Sequence, residues 1–571
     1  MGEDGGMDEP SETPVNGEAR APWLRRHLPL LLFALLLLAV FPMRDLWAPD
    51  EPDFAQCVKE MRHMGSWLLP YLNGQPYSEK PILYYWVMKV SDLLGDHLTG
   101  GLGFTQGVAA WALRLPSVVA AVAFMAAFQR WIRRFLPGRA ELALMVLATT
   151  PIWFWQSQFI QIDLLFSALL AWSWFCWLAG YLLLRGHAVA RAQEEHRVWF
   201  LKAYVWLSLA FLAKGPLAPA LSLLLVLAFL LWQRDLKALP RTGLAVGLLL
   251  TLVLVSPWYV AAGLRGGAHY AYQMIIYQNF DRATHAWDHI QPWWEYGRYI
   301  LGDFFPWVLF LPALALHLRR DGSSRDPLRR FLVLAFAVPF LFLSAVESKQ
   351  GKYLLMAYPF LALLLADLWR EVGEGGSPAR IRRLGGLLAA GLALPAGALL
   401  AAALGAGGAK VRLQVAPYLG PIRLMALVMI AGTAVTLVSA VRGRGRRLVP
   451  GASLSLGLLF LVGGTWGFHR LDPAKSYRRW TADVQPLIAG RKVYYWQTIR
   501  SGVMVYTDHL MPEIRDAAGL ERLGPGDRLV AQRNEWEMDA WGMTPALRAR
   551  FQILLSVPTG SGHILLLKKT Q

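Results

Sequence analysis

Cysteine and charge are what this chain has least of. Only Cys57 and Cys176 occur, one in a long loop and one inside an apolar run. That leaves neither a disulfide framework nor a thiolate metal cluster. Charged residues make up 17% of the 571 positions, against about 25% in soluble domains. A soluble protein of this length would split into several cores and carry more charge. Nucleotide signatures are missing as well: no GxxxxGK[ST], and no GxGxxG after a strand. What fills the sequence instead is apolar, 55% hydrophobic with 25 Trp, in long runs separated by short basic turns. The formal net charge of +18 comes from arginines clustered in those turns. That is the pattern of membrane topology, not of nucleic-acid binding.

Thirteen runs are near the length that crosses a bilayer: about 28–46, 108–130, 140–158, 164–184, 198–213, 216–232, 243–262, 301–318, 329–345, 353–370, 384–404, 421–441 and 449–467. Alternation from a cytoplasmic N-terminus puts the arginine-rich turns inside, among them Arg130–Arg139, Arg319–Arg330, Arg370–Arg383 and Arg442–Arg447. The outer loops are longer yet poorer in Lys and Arg, as the positive-inside rule requires. Residues 1–20 are rich in Gly, Pro and Glu and read as a disordered tail. Arg25 and Arg26 precede Leu28–Val40 with no small-residue cleavage site, which predicts a retained anchor.

Outer loops 47–107 and 263–300 are rich in Trp, Tyr and Pro, residues that favour the membrane interface. Stretches 53–66 and 82–95 have apolar positions at helical spacing, too short to span, and predict interfacial helices. From about 470 the pattern changes to short β-rich runs, Lys492–Trp496, Gly502–Tyr506, Arg528–Ala531, Phe551–Leu555 and His563–Leu567, with a helix near 513–522. The expected organisation is a cytoplasmic tail over 1–27, an all-α polytopic membrane domain over 28–469, and a small α/β domain over 470–571 outside the membrane.

Charge at the outer face is sparse and gathered. Asp50 and Glu51 lie between Pro49 and Pro52. They could cap an interfacial helix, or face an acceptor group as base or orienter. Glu79-Lys80-Pro81 opens the next interfacial helix beside Tyr77, Tyr84, Tyr85 and Trp86. It is either a surface ion pair or a phosphate cation with an acid that orients it or binds metal. Asp163 sits between two spans, where a carboxylate is costly. It is a functional candidate or a helix cap. Lys214, in a tight outer turn, is a snorkelling side chain or, with Lys349 and Lys352, part of a phosphate-binding set. Asn279-Phe280-Asp281-Arg282 precedes His285 and His289, which with Glu79 form a weak metal pattern.

The segments Pro49-Asp50-Glu51, Tyr77-Ser78-Glu79-Lys80-Pro81, Arg114-Leu115-Pro116-Ser117, Phe211-Leu212-Ala213-Lys214-Gly215-Pro216, Ser256-Pro257-Trp258-Tyr259, His289-Ile290-Gln291-Pro292-Trp293-Trp294 and Ser348-Lys349 through Tyr358-Pro359 run in one order over residues 45–365. In this ordered set the chain resembles polyprenyl-phosphate-dependent glycosyltransferases of the GT-C type. It is most similar to the bacterial aminoarabinose (lipid A) transferase branch, related to protein O-mannosyltransferases. The resemblance implies Asp50 as principal catalytic acid with Asp163 a second acid in the cavity. Lys80 would contact the donor phosphate, and Glu79 with His289 would hold a divalent ion, zinc, with His285 as the fallback ligand. Tyr77, Lys214, Lys349, Lys352 and Arg282 complete the expected donor site, and Glu51 joins the acids. The family often has Arg where this chain has Asp53.

The implied reaction moves a sugar from an undecaprenyl-phosphate carrier to a lipid or glycan acceptor at the periplasmic face of a bacterial inner membrane. It inverts the anomeric carbon and needs no nucleotide. A transporter or flippase of lipid-linked sugars is the rival from another class. Charges gathered at one face, and the lack of paired half-repeats, speak against it. An envelope scaffold would leave the loop acids and lysines without a role.

Overall fold

A computed structural model describes residues 23–104, 107–187, 195–281, 289–320, 326–406, 408–497, 501–559 and 562–570. The expected N-terminal tail falls outside these residues up to 22, and 23–27 already belong to the first helix. The chain is a multi-pass membrane protein. Among the described residues nine helices are long and apolar enough to cross a membrane, or ten if Glu295–Asp303 and Trp307–Arg320, bent by 111°, make one span.

The helices up to the second long loop are α1 (Trp23–Val40), α2 (Asp50–His63), α3 (Leu83–Thr99), α4 (Ala110–Phe135), α5 (Ala140–Ala148), α6 (Pro151–Gln156), α7 (Ile162–Leu184), α8 (His196–Lys214), α9 (Leu217–Gln233) and α10 (Leu244–Tyr272). All thirteen sequence runs fall on helical segments, but four do not cross as one long apolar helix, the run 301–318 being the bent pair just described. Run 140–158 is broken into α5 and α6, with Pro151 starting the second piece. Helix α8 carries Arg197, Lys202 and Lys214, and α9 has only 17 residues.

Helix α7 and the helix Gly351–Gly375 form the centre of the bundle, each 83% buried over its most apolar window. They are hydrophobic nearly all round, as a helix surrounded by other helices must be. Their ends near Asp163 and Lys352 therefore lie against neighbours on several sides. The expected interfacial helices are α2 and α3, joined through a hairpin of β1 (Tyr71–Leu72) and β2 (Gln75–Pro76).

The C-terminal region holds five strands, β3 (Val493–Trp496), β4 (Glu513–Ile514), β5 (Arg528–Gln532), β6 (Phe551–Thr559) and β7 (Gly562–Lys569), in the order β4-β3-β5-β7-β6. Strand β3 is parallel to β4 and β5, and β7 is antiparallel to β5 and β6. Two expectations fail here. Gly502–Tyr506 is not a strand but part of the buried helix Ser501–Thr507, and the run from 513 starts as β4 before a short helix, Ala517–Glu521.

Helix Ser501–Thr507 is where this region meets the long loop between α1 and α4. Lys59 of α2 donates to the Val505 carbonyl at 3.1 Å and lies 2.8 Å from Asp508. Asn73 in the hairpin exchanges two hydrogen bonds with Met511, at 2.7 and 2.9 Å. The Leu46 N–H donates to Tyr506, and the Trp47 indole to Asp472. The sheet region is thus seated on the loop that carries Asp50.

Candidate active site

Four elements end at one place. Asp50 is the first residue of α2, Asp163 lies in the first turn of α7, Lys214 is the last residue of α8, and Lys352 opens the 3-10 turn Gly351–Ala357. Gly215 has φ +84°, a left-handed value that suits glycine. Together with Pro216 it stops α8 directly after Lys214. With Lys80, His289 and Tyr353 these residues line a cavity of about 180 Å³.

Within the cavity the charges alternate. Lys214 Nζ is bonded to Asp163 Oδ1. Lys352 Nζ lies 2.9 Å from Asp50 Oδ2 and 3.9 Å from Asp163 Oδ2. Gln161 donates to Asp50 Oδ2 at 2.5 Å, and Lys214 also sits 4.2 Å from the Tyr353 ring centroid. Two carboxylates and two ammonium groups in one partly buried site suit charge stabilisation and proton acceptance.

Glu51 is next to Asp50 in sequence and goes elsewhere. It is fully buried and accepts six hydrogen bonds: two from Arg44, two from Arg114, and one each from the Trp47 and Ile160 N–H groups. Burial alone would raise its pKa, but the charges and hydrogen bonds of Arg114 and Arg44 outweigh that and bring the carboxyl down to about 2. The sequence-based expectation of Glu51 as a reacting acid is therefore corrected. It does not line the cavity, and no lone pair is left for a substrate.

The Arg-Leu-Pro-Ser segment finds its meaning in the same clamp. Arg114 also donates to the Phe41, Arg44 and Asp45 carbonyls, while Ser117 donates to the Phe159 carbonyl and contacts Tyr84 Oη at 3.2 Å. These bonds tie the segment before α2 to α4 and to the stretch leading into α7, and so fix Asp50 relative to Asp163.

Of the other expected residues, Tyr77, Glu79, Lys80 and His289 line the cavity, as does Asp53. Burial and then the nearby Glu79 charge push the Tyr77 phenol well above its ordinary value, so it remains protonated. Lys349 is the second correction. Its Nζ is turned inward onto the Val346, Gln291 and Glu347 carbonyls, and the residue is 3% exposed. Its N–H donates to the His289 carbonyl at 3.0 Å. Lys349 thus fastens the His289 segment to the neighbouring chain and does not face the cavity. Arg282 and His285 lie outside the described residues.

Arg44, Arg114, Gln161, Gln350 and Tyr353 were missed as site or support residues by the sequence reading. Arg44 carried a usable signal: it is a cation at the end of the first span that the arginine pattern predicts to be outside, against the inside bias.

Of the expected metal set, His285 lies outside the described residues. Glu79 and His289 share the cavity, but among the described residues no group of three or more His, Cys, Asp or Glu is arranged to hold a metal ion.

Residues 79–260 match the family model described as dolichyl-phosphate-mannose-protein mannosyltransferase. A Shewanella sediminis protein named undecaprenyl phosphate-alpha-4-amino-4-deoxy-L-arabinose arabinosyl transferase is 30% identical over 340 residues, 59% of this chain and 58% of that protein. A Pectobacterium atrosepticum protein of the same name is 29% identical over 60% of this chain and 58% of its own length. The chain therefore spans about 58% of the curated relatives it matches. The crystal structure of ArnT from Cupriavidus metallidurans bound to undecaprenyl phosphate matches with a TM-score of 0.73 at 19% identity, over 96% of this chain and 98% of that one. The archaeal oligosaccharyltransferase AglB from Archaeoglobus fulgidus matches more distantly, with a TM-score of 0.52 at 11% identity, over 93% and 73% of the two chains. These likenesses show the fold, which is the one that the two solved structures share.

Proposed function

We propose that this protein is a membrane glycosyltransferase. It transfers a sugar from an undecaprenyl-phosphate carrier to a lipid A-like lipid or another envelope acceptor at the periplasmic face of a bacterial inner membrane. The observation that carries the reading is the cavity where Asp50, Asp163, Lys80, Lys214 and Lys352 converge from separate elements. The names of the curated relatives supply the carrier, and 4-amino-4-deoxyarabinose as the sugar to try first.

In this mechanism the acceptor oxygen attacks the anomeric carbon from the face opposite the carrier, and the bond from that carbon to the phosphate oxygen breaks with inversion. Asp50 takes the proton of a hydroxyl acceptor. Where the acceptor is itself a phosphate, Asp50 orients it. Undecaprenyl phosphate leaves with its full negative charge, which Lys80, Lys352 and Lys214 stabilise where it develops. Arg282 is proposed as a further phosphate contact, with Tyr77 donating from its protonated phenol. A divalent ion, if held by Glu79 and His289 with His285, would supply further charge stabilisation.

Lys80 tests the donor side. Lys80→Ala should weaken undecaprenyl phosphate binding and slow turnover, because the phosphate charge grows as the sugar departs. Lys80→Arg should recover part of the loss, since a planar fork replaces a point charge. Binding curves for undecaprenyl phosphate and for lipid A, on parent and Lys80→Ala, decide it. Loss confined to lipid A would mean that the two substrates sit on opposite sides from those proposed.

The orientation proposed has the N-terminus in the cytoplasm and the sheet region in the periplasm. A cysteine replacing the exposed Arg444 should react with a membrane-impermeant reagent only from the cytoplasm, and one replacing Ala540 only from outside. The reverse pattern would move every site residue to the wrong face.

A further inference from the structure

Two of the cations that would hold a carrier phosphate, Lys214 and Lys352, are already holding carboxylates. The chain of charges runs from Lys214 to Asp163 to Lys352 to Asp50, and its two ends are unlike. The Asp163 side chain is 5% exposed and held by both lysines, whereas that of Asp50 is 37% exposed. Separating a pair costs most where the abandoned charge is buried, and least where water already reaches it. The Asp50 end is therefore the one that opens. Lys352, beside Asp163 at 3.9 Å, can leave Asp50 without losing all of its compensation.

We infer that Lys352 is a two-position switch that makes Asp50 available only after the donor has bound. With no anion in the cavity, the ammonium neutralises Asp50. When the carrier phosphate enters, Lys352 turns to it, and the Asp50 carboxylate is released to take the acceptor's proton. This rests on the proposed donor. It adds an order, donor before acceptor, and a reason for it: a base masked by its own lysine cannot act on water in an unloaded site. No bond is made or broken in the switch itself; one ammonium changes partners.

The switch has an unusual signature. Asp50 and the phosphate compete for one cation, so neutralising Asp50 should tighten carrier binding even as it removes catalysis. Plain repulsion between Asp50 and the phosphate would tighten it too. Lys352 separates the two explanations, because competition vanishes without the lysine and repulsion does not.

The test is a double-mutant cycle on the full chain in nanodiscs, with undecaprenyl phosphate as the probe. Asp50→Asn should tighten binding about fivefold or more, the usual floor for coupled sites. Lys352→Gln should weaken it. In the Lys352→Gln background, Asp50→Asn should change affinity by less than about twofold, which is the ordinary error of additivity. In a Lys352→Arg background the Asp50→Asn effect should return at least in part, which a misfolded lysine variant could not give. Equal tightening in both the parent and Lys352→Gln backgrounds overturns the switch and leaves repulsion. No tightening in the parent background also overturns it. A parent protein that does not bind undecaprenyl phosphate overturns the donor reading and the switch together.

Discussion

Purified Asp50→Asn protein should fold as the parent does and lose transfer by about a hundredfold to ten-thousandfold, the range for removing a general base. Asparagine is nearly isosteric with aspartate, and its carbonyl can still accept from Gln161, which lies 2.5 Å from Asp50 Oδ2. What is lost is the ability to take a proton. The fall should be in turnover, with donor binding no weaker than in the parent. Steady-state transfer at saturating donor, beside thermal unfolding of the same preparation, checks both halves. Full activity would shift the main role to Asp163.

Glu51 should give the opposite result, a large effect on stability. Glu51→Gln removes the charge that Arg44 and Arg114 share and leaves two buried guanidinium groups facing each other. Breaking a buried pair in this way costs about 3–5 kcal/mol, a large part of a typical folding free energy of about 5–15 kcal/mol. The variant should unfold at a clearly lower temperature in detergent. The parent carries the same information in its pH dependence. The Glu51 carboxyl is lowered from 4.5 to about 2 by the two arginines acting against burial. A depressed carboxyl contributes stability that is fully present above the unfolded value. That contribution, on the order of 3 kcal/mol, should be lost as pH falls from about 4.5 toward 2. In Glu51→Gln this acid-sensitive part should be missing. A Glu51→Gln protein as stable as the parent, with unchanged acid unfolding, would show that the clamp is not formed.

Asp50 and Glu51 also show how far the sequence could be read. Both were visible as acids at the end of a span, and the local pattern predicted the helix that they begin. What separates them is long-range: Arg114 lies 63 positions from Glu51, and Lys352 lies 302 from Asp50. No periodicity carries that information. Lys349 and Lys352 make the same point over three positions. The first belongs to the segment bridged to Ile290 and the second to the 3-10 turn, so one lysine turns inward and the other reaches the cavity.

The membrane helices were legible because burial in lipid writes itself as long apolar runs. Their number as long apolar spans was less so, since Pro151 cuts one run and charges interrupt another. Gly502–Tyr506 misled for a different reason. Its Val and Tyr favour strands, yet it is a buried helical turn beside α2, a case of tertiary packing overriding propensity. The ordered set of loop segments carried more than any one of them. It indicated the fold class, while the pairing of charges inside the cavity came only with the structure.

The most direct measurement places purified protein in liposomes with undecaprenyl-phosphate-linked 4-amino-4-deoxyarabinose and lipid A, and follows label from carrier to acceptor. The account predicts transfer with inverted anomeric configuration and release of undecaprenyl phosphate, with Asp50→Asn as the inactive control. Movement of the intact lipid-linked sugar between leaflets, with the bond to the carrier phosphate unbroken, would contradict it.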